Sequence, residues 1–447
     1  RIRPLCCSRL TAQGSGIPRT SRAPMKAISV QGSRASSRFV VPETWEPVGH
    51  LGSGAYAAVA AFRGPKGELY AVKKAERVLD HPILALRTLR EVRLLAHFQH
   101  PNVLSIHRLF LDGPEAGDCH LCLEAMDGDL QLLIHGSKQA LAEQQVQCVL
   151  YQILRGLLCL RTAHVVHRDL KPSNVLIRAT GEVKLADLGL ARAIDADADH
   201  EGQDAQALTE YVVTRFYRAP EVVLTATRYT YAVDMWSAGC ILGEMLTRQP
   251  LFQGKDALDQ IRKIVTFLGR QPQEDMAWLA GASRKFVEQC NRPAPGQGLG
   301  LQRLLRSPEV NGLATELMAR MLRFDPAKRV SVDEALLHKY LGSFDAANDQ
   351  EVASARAVPA VDWCFDRALC FDEGGRPRPY EKQRFRRALR EAADLLEQGC
   401  SKGASSGSGA CGRGEDDTVA GAAAAAPAAP IRATESGGGR RRAERAR

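Results

Sequence analysis

The residues best equipped for chemistry lie together near the middle of the chain. His167-Arg168-Asp169-Leu170-Lys171-Pro172-Ser173-Asn174 sets a carboxylate, an ammonium and a carboxamide on one short stretch. Asp187-Leu188-Gly189 begins thirteen residues after Asn174. Moving a phosphoryl group asks a protein for positioning and charge neutralisation rather than for covalent chemistry. In that task Asp169 can accept and orient a substrate hydroxyl, and Lys171 can neutralise charge on the moving group. Asn174 and Asp187 can hold Mg2+ against a nucleotide. Eight contiguous residues of this kind are a highly specific signal.

Two further features lie upstream. Leu51-Gly52-Ser53-Gly54-Ala55-Tyr56-Ala57-Ala58-Val59 carries two of the three glycines of a hairpin that covers phosphates, where missing side chains let backbone amides approach phosphate oxygens. Fourteen residues past Val59, Ala71-Val72-Lys73 ends an apolar run with a lysine, and Glu91 follows. A Lys73–Glu91 pair would aim the ammonium at the α- and β-phosphates, although taken alone the two are more readily read as a surface ion pair.

Residues 45–120 read as strands with turn punctuation, broken by one helix over 84–98 that spaces Leu86, Leu89, Val92 and Leu95 on one face. From Leu141 the pattern turns helical. Val146, Val149, Leu150, Ile153, Leu154, Leu157 and Leu160 repeat with a period near 3.6, and a second apolar helix covers 235–246. Between them, residues 195–204 form a loop too acidic for a core. A last amphipathic helix is expected over 380–396, with Phe385, Leu389, Ala392 and Leu396 on one face. Residues 400–447 are rich in Gly, Ser and Ala and are expected to be disordered.

Composition narrows the function classes. The chain has 447 residues, 45% of them hydrophobic, and a formal charge of +9. Its first 42 residues carry eight Lys or Arg and no acid, whereas residues 43–342 balance 35 basic against 35 acidic. The excess therefore sits in a leader, read as disordered and in composition like a transit segment, with Met25 a candidate start. Phe39 is the leader's only aromatic, so no nucleic-acid platform is indicated. No apolar run reaches the roughly 20 residues of a membrane span. Scattered cysteines point to a reducing compartment, and Cys119 and Cys122, three apart in a strand, would face opposite sides.

Over residues 45–341 the sequence resembles the eukaryotic protein kinases, which implies an α+β bilobal fold with a β-rich N-lobe at about 45–123 and an α-helical C-lobe at about 127–341. Lys171, two places after Asp169, resembles the serine/threonine class. Ala219-Pro220-Glu221 looks like the end of the activation segment, Arg329 like its partner, and Asp234 like the aspartate that braces the catalytic loop. The resemblance implies an ATP site of Leu51, Gly52, Ser53, Gly54, Ala55, Val59, Ala71, Lys73, Leu123, Glu124 and Met126. Leu123 would be the gatekeeper, and residues 124–126 the hinge whose backbone meets adenine.

A narrower resemblance is to the mitogen-activated protein kinases. It rests on residues 87–92 and 151–157 and on Leu208-Thr209-Glu210-Tyr211-Val212-Val213-Thr214-Arg215-Phe216-Tyr217-Arg218. Thr209-Glu210-Tyr211 looks like the dual-phosphorylation motif of the extracellular-signal-regulated type. Arg90, Arg168 and Arg192 would clamp a phosphate on Thr209, and Arg215 and Arg218 one on Tyr211. Arg218 would also favour Pro after the acceptor. Residues 270–306 resemble the family's insert, and 342–399 its C-terminal extension. The implied partners are Ser/Thr-Pro substrates, an upstream dual-specificity kinase and phosphatases, with no nucleic acid and no membrane. A monomer is implied, in the cytoplasm with the nucleus as a second location. A cyclin-dependent-like kinase is the alternative within the class, and an inactive pseudokinase scaffold the alternative outside it.

Ala57 stands in place of the third glycine and Leu188 in place of the usual phenylalanine; neither removes a catalytic group. Before the last helix, where the family has docking acids, this chain reads Gly374-Gly375-Arg376-Pro377-Arg378, and Asp362 and Asp366 are candidate substitutes.

Overall fold

The computed structural model describes residues 24–32, 36–53, 57–112, 117–136, 139–194, 215–225, 230–294, 296, 298–305, 310–372 and 374–405. Its first element is an antiparallel hairpin, β1 (Met25–Gln31) and β2 (Ser36–Pro42). This overturns the expectation of disorder for residues 25–31 and 36–42. Val30, Phe39 and Val41 are buried, because alternate positions of a strand share a face and these three turn inward. The acid-free charge count hid that alternation.

Five antiparallel strands follow: β3 (Glu46–Ser53), β4 (Ala57–Arg63), β5 (Leu69–Ala75), β6 (Ile106–Leu111) and β7 (Cys119–Glu124). They pair in the order β3-β4-β5-β7-β6. One face of this sheet packs with the hairpin through Trp45, Ala58, Ala60, Phe62, Val72 and Cys122. The other joins the main core, and Cys119 belongs to it, so Cys119 and Cys122 do lie on opposite faces. Helix α1 (Pro82–His97) lies where 84–98 was expected; Pro82 sits at its first position and the His81 ring accepts from the Ile83 amide. It buries Leu89, Val92, Leu94 and Leu95.

The large lobe is built on α2 (Leu130–Gly136) and α3 (Glu143–Thr162). The whole expected stripe of α3, from Val146 to Leu160, is buried. Each such aliphatic side chain contributes about 1.5–3 kcal/mol of burial. Short strands β8 (Gly128–Asp129), β9 (Val165–Val166), β10 (Val175–Ile177), β11 (Val183–Leu185) and β12 (Arg192–Ala193) make two small sheets, β11-β10-β8 and β12-β9, that hold the loops between them. Helices α4 (Pro220–Leu224) and α5 (Ala232–Thr247) complete the floor, and α5 is buried along nearly its whole length.

The last helix runs Lys382–Ser405, so it continues past residue 400, where a disordered tail was expected to begin. Phe385, Leu389 and Ala392 are buried and Leu396 partly so, the face anticipated from spacing. Residues 406–447 lie outside the described residues. No described helix is long and apolar enough to cross a membrane.

His120, on β7, is fully buried and lies edge-on to Phe39 of the hairpin, with ring centroids 6.2 Å apart. Burial, with the Lys74 ammonium adding to it, pushes the imidazole down to about 4. The unfolded chain takes up that proton near pH 6.5, so the folded form loses stability as pH falls from about 6.5 toward 4. At about 1.4 kcal/mol per pH unit, urea unfolding should show a loss of about 2 kcal/mol between pH 7.5 and pH 5. His100 and His107 are lowered by burial as well and add to it. His120→Phe should flatten the dependence; an unchanged slope would contradict this assignment.

Candidate active site

The site is assembled between the sheet and the large lobe. In antiparallel pairs, directly opposed residues share a face. Val59 opposes Lys73, Lys73 opposes Leu121, and Ala71 opposes Leu123, so Val59, Ala71, Lys73 and Leu123 stand on one side of the sheet. Gly52 opposes Val59 on β3, and a Cβ added to Gly52 would meet nothing within 4 Å. Leu51 is half exposed, and Met126 is partly buried against the core. Gly54 and Ala55 lie outside the described residues.

Lys73 is the meeting point of the two lobes. Its Nζ lies 2.6 Å from Glu91 Oε1 on α1 and 3.4 Å from Asp187 Oδ1. The surface-pair alternative therefore fails, since the Glu91 side chain is only 8% exposed. Burial alone would lower the Lys73 ammonium, but the Asp187 and Glu91 carboxylates outweigh it and hold the group above the ordinary lysine range. Lys73 in turn holds the Asp187 carboxyl below the usual carboxylate range, against the upward push of burial. Both stay charged at neutral pH.

The catalytic-loop residues converge as their spacing suggested. Lys171 Nζ donates to Asp169 Oδ2 at 2.7 Å. Asn174 Nδ2 donates to the Asp169 carbonyl at 2.8 Å and to its Oδ2 at 3.2 Å, which leaves the Asn174 amide oxygen to face elsewhere. Asp234, buried at the start of α5, accepts from the backbone amides of His167 at 2.8 Å and Arg168 at 2.9 Å. The His167 ring bonds the Ala186 carbonyl at 3.0 Å, tying this loop to the one that carries Asp187. Arg168 and Asp187 both adopt left-handed backbone, with φ of 70° and 63°. That conformation costs a non-glycine residue energy and persists only where surrounding bonds impose it. Leu188 is fully buried and fills its place as an apolar plug.

Asp187 and Asn174 form no cluster of three or more His, Cys, Asp or Glu, and none exists among the described residues. The donor set nonetheless fits Mg2+, which takes one or two protein oxygens and completes its shell with water and phosphate.

Glu221 and Arg329 pair through two bonds, 2.5 and 2.6 Å, both side chains buried. The arginines of the expected phosphate clamp already have partners. Arg90 is held by Asp366 of the C-terminal extension through two bonds, 2.7 and 2.8 Å. Arg192 donates to the Ala191 carbonyl at 2.8 Å and Arg215 to the Lys255 carbonyl at 2.7 Å. Arg218 is partly buried. Thr209 and Tyr211 lie outside the described residues. Asp366, a candidate docking acid, is engaged with Arg90. Asp362 is exposed and accepts from the Cys364 amide at 2.9 Å. Spacing gave no sign of the Arg90–Asp366 pair, whose members are 276 residues apart.

Comparison with known proteins agrees with this geometry. The protein kinase domain family matches residues 45–341. Mitogen-activated protein kinase 1 of Oryza sativa is 40% identical over 313 residues, 69% of this chain and 75% of its own. Mitogen-activated protein kinase spk1 of Schizosaccharomyces pombe is 40% identical over 329 residues, 72% of this chain and 85% of its own. Mitogen-activated protein kinase 4 of Arabidopsis thaliana is 41% identical over 321 residues, 71% and 80%. The chain belongs to the protein kinases, and among them to the mitogen-activated protein kinase family. It is a serine/threonine protein kinase of that type, and it uses ATP.

Asp234 should matter to chemistry more than to nucleotide binding, because it orients the backbone that carries Asp169. A misplacement of about 1 Å can cost about a hundredfold in rate. Asp234→Ala is expected to lower kcat by about that factor while changing ATP affinity by less than about threefold, measured by steady-state kinetics and equilibrium binding. An equal loss in both would contradict the assignment.

Proposed function

We propose that the protein transfers the γ-phosphoryl group of ATP to Ser or Thr followed by Pro, and that phosphorylation of Thr209 and Tyr211 by an upstream dual-specificity kinase switches it on and phosphatases switch it off. The observation that carries the reading is the Lys73–Glu91 pair closed on Asp187 beside an Asp169 already bonded to Lys171. Asp169 orients the acceptor hydroxyl and takes up its proton. Lys171 lies where it can offset charge on the phosphoryl oxygens, and Lys73 is aimed at the α- and β-phosphates. Asn174 and Asp187 would hold Mg2+, which when bound screens the nucleotide's phosphate charge.

The acceptor side is supported by an anchored backbone. Tyr217 OH donates to Glu244 Oε2 at 2.6 Å and Ser237 Oγ to the Tyr217 carbonyl at 2.9 Å, which fixes the chain beside Arg218. Pro fits the position after the acceptor because it has no amide hydrogen left unsatisfied there. Cys119, Cys122, Cys148, Cys159, Cys240, Cys290, Cys364 and Cys370 are free thiols, the state that a cytoplasmic or nuclear setting favours.

The test is phosphate transfer to a Thr-Pro peptide and to its Thr-Ala counterpart after treatment with an activating dual-specificity kinase. The wild type should prefer Thr-Pro and gain activity on treatment, the Thr209→Ala/Tyr211→Phe variant should gain none, and Asp169→Ala should be inactive throughout. Undiminished transfer by Asp169→Ala would sink the mechanism, and full activation of the double variant would sink the switch.

A further inference from the structure

Behind residues 124–126, four charged side chains close a ring. Glu124 ends β7 in the small lobe; Arg178, Glu182 and Lys184 sit on the turn between β10 and β11 in the large lobe and on β11 itself. Arg178 Nη2 lies 3.1 Å from Glu124 Oε2, and Arg178 Nη1 lies 2.6 Å from Glu182 Oε2. Lys184 Nζ lies 3.1 Å from Glu182 Oε1 and 3.2 Å from Glu124 Oε1. Two cations and two anions thus alternate around a closed, neutral square. Lys184 and Glu124 are 6% and 13% exposed, so solvent screens their pair little.

The ring also grips backbone. Glu124 Oε1 accepts from the Ser105 amide at 2.8 Å. Arg178 Nε and Nη2 donate to the Ala125 carbonyl at 3.3 and 3.2 Å. The turn that presents Arg178 is itself fixed, with Gly181 at φ 89°, the Arg178 amide on the Glu182 carbonyl at 2.9 Å, and the Ala179 amide on Asp127 Oδ2 at 2.7 Å. The residue just before β6, the link between the lobes and the β10–β11 turn are therefore joined by charge-assisted bonds, which are stronger than neutral ones.

We propose that Arg178 and Lys184 are positioning residues for the nucleotide: through the Glu124 carboxylate and the Ala125 carbonyl they hold the backbone of 124–126 in the arrangement that receives the base. The proposal rests on the reading of 124–126 as the adenine-binding hinge. Neither side chain touches the nucleotide. Their contribution is preorganisation, since a backbone already held in its bound form spends less free energy on ordering when the ligand arrives.

Adenosine separates this effect from anything at the phosphates, because it carries the base and no phosphate. Equilibrium binding of adenosine and of Mg-ADP would be measured for the wild type, Arg178→Ala, Arg178→Lys and Glu182→Gln. Arg178→Ala should weaken both ligands by the same factor, about three- to tenfold, and Arg178→Lys should restore part of the loss. Glu182→Gln should show the same parallel loss on a smaller scale, and it serves in place of Arg178→Ala if that variant does not fold. A merely destabilising change would lower the unfolding midpoint and leave both affinities unchanged at a temperature where the protein is folded. Unchanged affinities, or a loss confined to Mg-ADP, would overturn the proposal. A wild type that binds Mg-ADP but not adenosine would overturn it too, whereas one that binds neither would overturn the hinge reading beneath it.

Discussion

A lysine ammonium partly withdrawn from water between two lobes is best tolerated where anions meet it, and Lys73 is met twice, by Glu91 of α1 and by Asp187 of the large lobe. Most of the architecture can be understood as what is required to bring those three groups together. Strand pairing on both sides of β5 fixes the direction of Lys73. The apolar face of α1 fixes Glu91 in height and rotation. The bonds from His167 and Asp234 hold a left-handed Asp187 and the catalytic loop in one piece. Removing either anion would leave Lys73 with the other alone, and removing Lys73 would leave the Glu91 carboxylate, 8% exposed, without its partner, which is more costly than losing a surface ion pair.

The placement of α1 draws on the C-terminal extension as well as on the core. Asp366 grips Arg90, the Arg93 guanidinium lies over the Phe365 ring at 5.6 Å, and Tyr380 OH donates to the Leu79 carbonyl at 2.6 Å just before the helix begins. The residue beside Glu91 is thus already held by a carboxylate before any phosphate on Thr209 is considered. A loop phosphate would meet Arg90 with that carboxylate in place, and Arg168 and Arg192 are the remaining members of the expected set.

What was legible in the sequence was whatever is local. Asp169, Lys171 and Asn174 are five residues apart at most, so their convergence follows from the loop itself. The α3 stripe and the opposite facing of Cys119 and Cys122 follow from helix and strand periods. The strands at 25–31 and 36–42 are hard to see in the sequence because net charge outweighs the alternation of Phe39 and Val41, a pattern too short to stand out beside eight basic residues. Arg90 with Asp366, and Tyr151 and Arg155 with Asp349, could not be foreseen, since each pair is nearly two hundred or more residues apart and depends on how the extension wraps the core.

Lys73 and Glu91 act as one unit. A double-mutant cycle with Lys73→Met, Glu91→Gln and the combined variant, read as kcat/KM for ATP, tests it directly. The combined variant should be scarcely worse than Lys73→Met alone, so that the two losses overlap almost completely. Losses that simply add in free energy would show instead that the two side chains act independently.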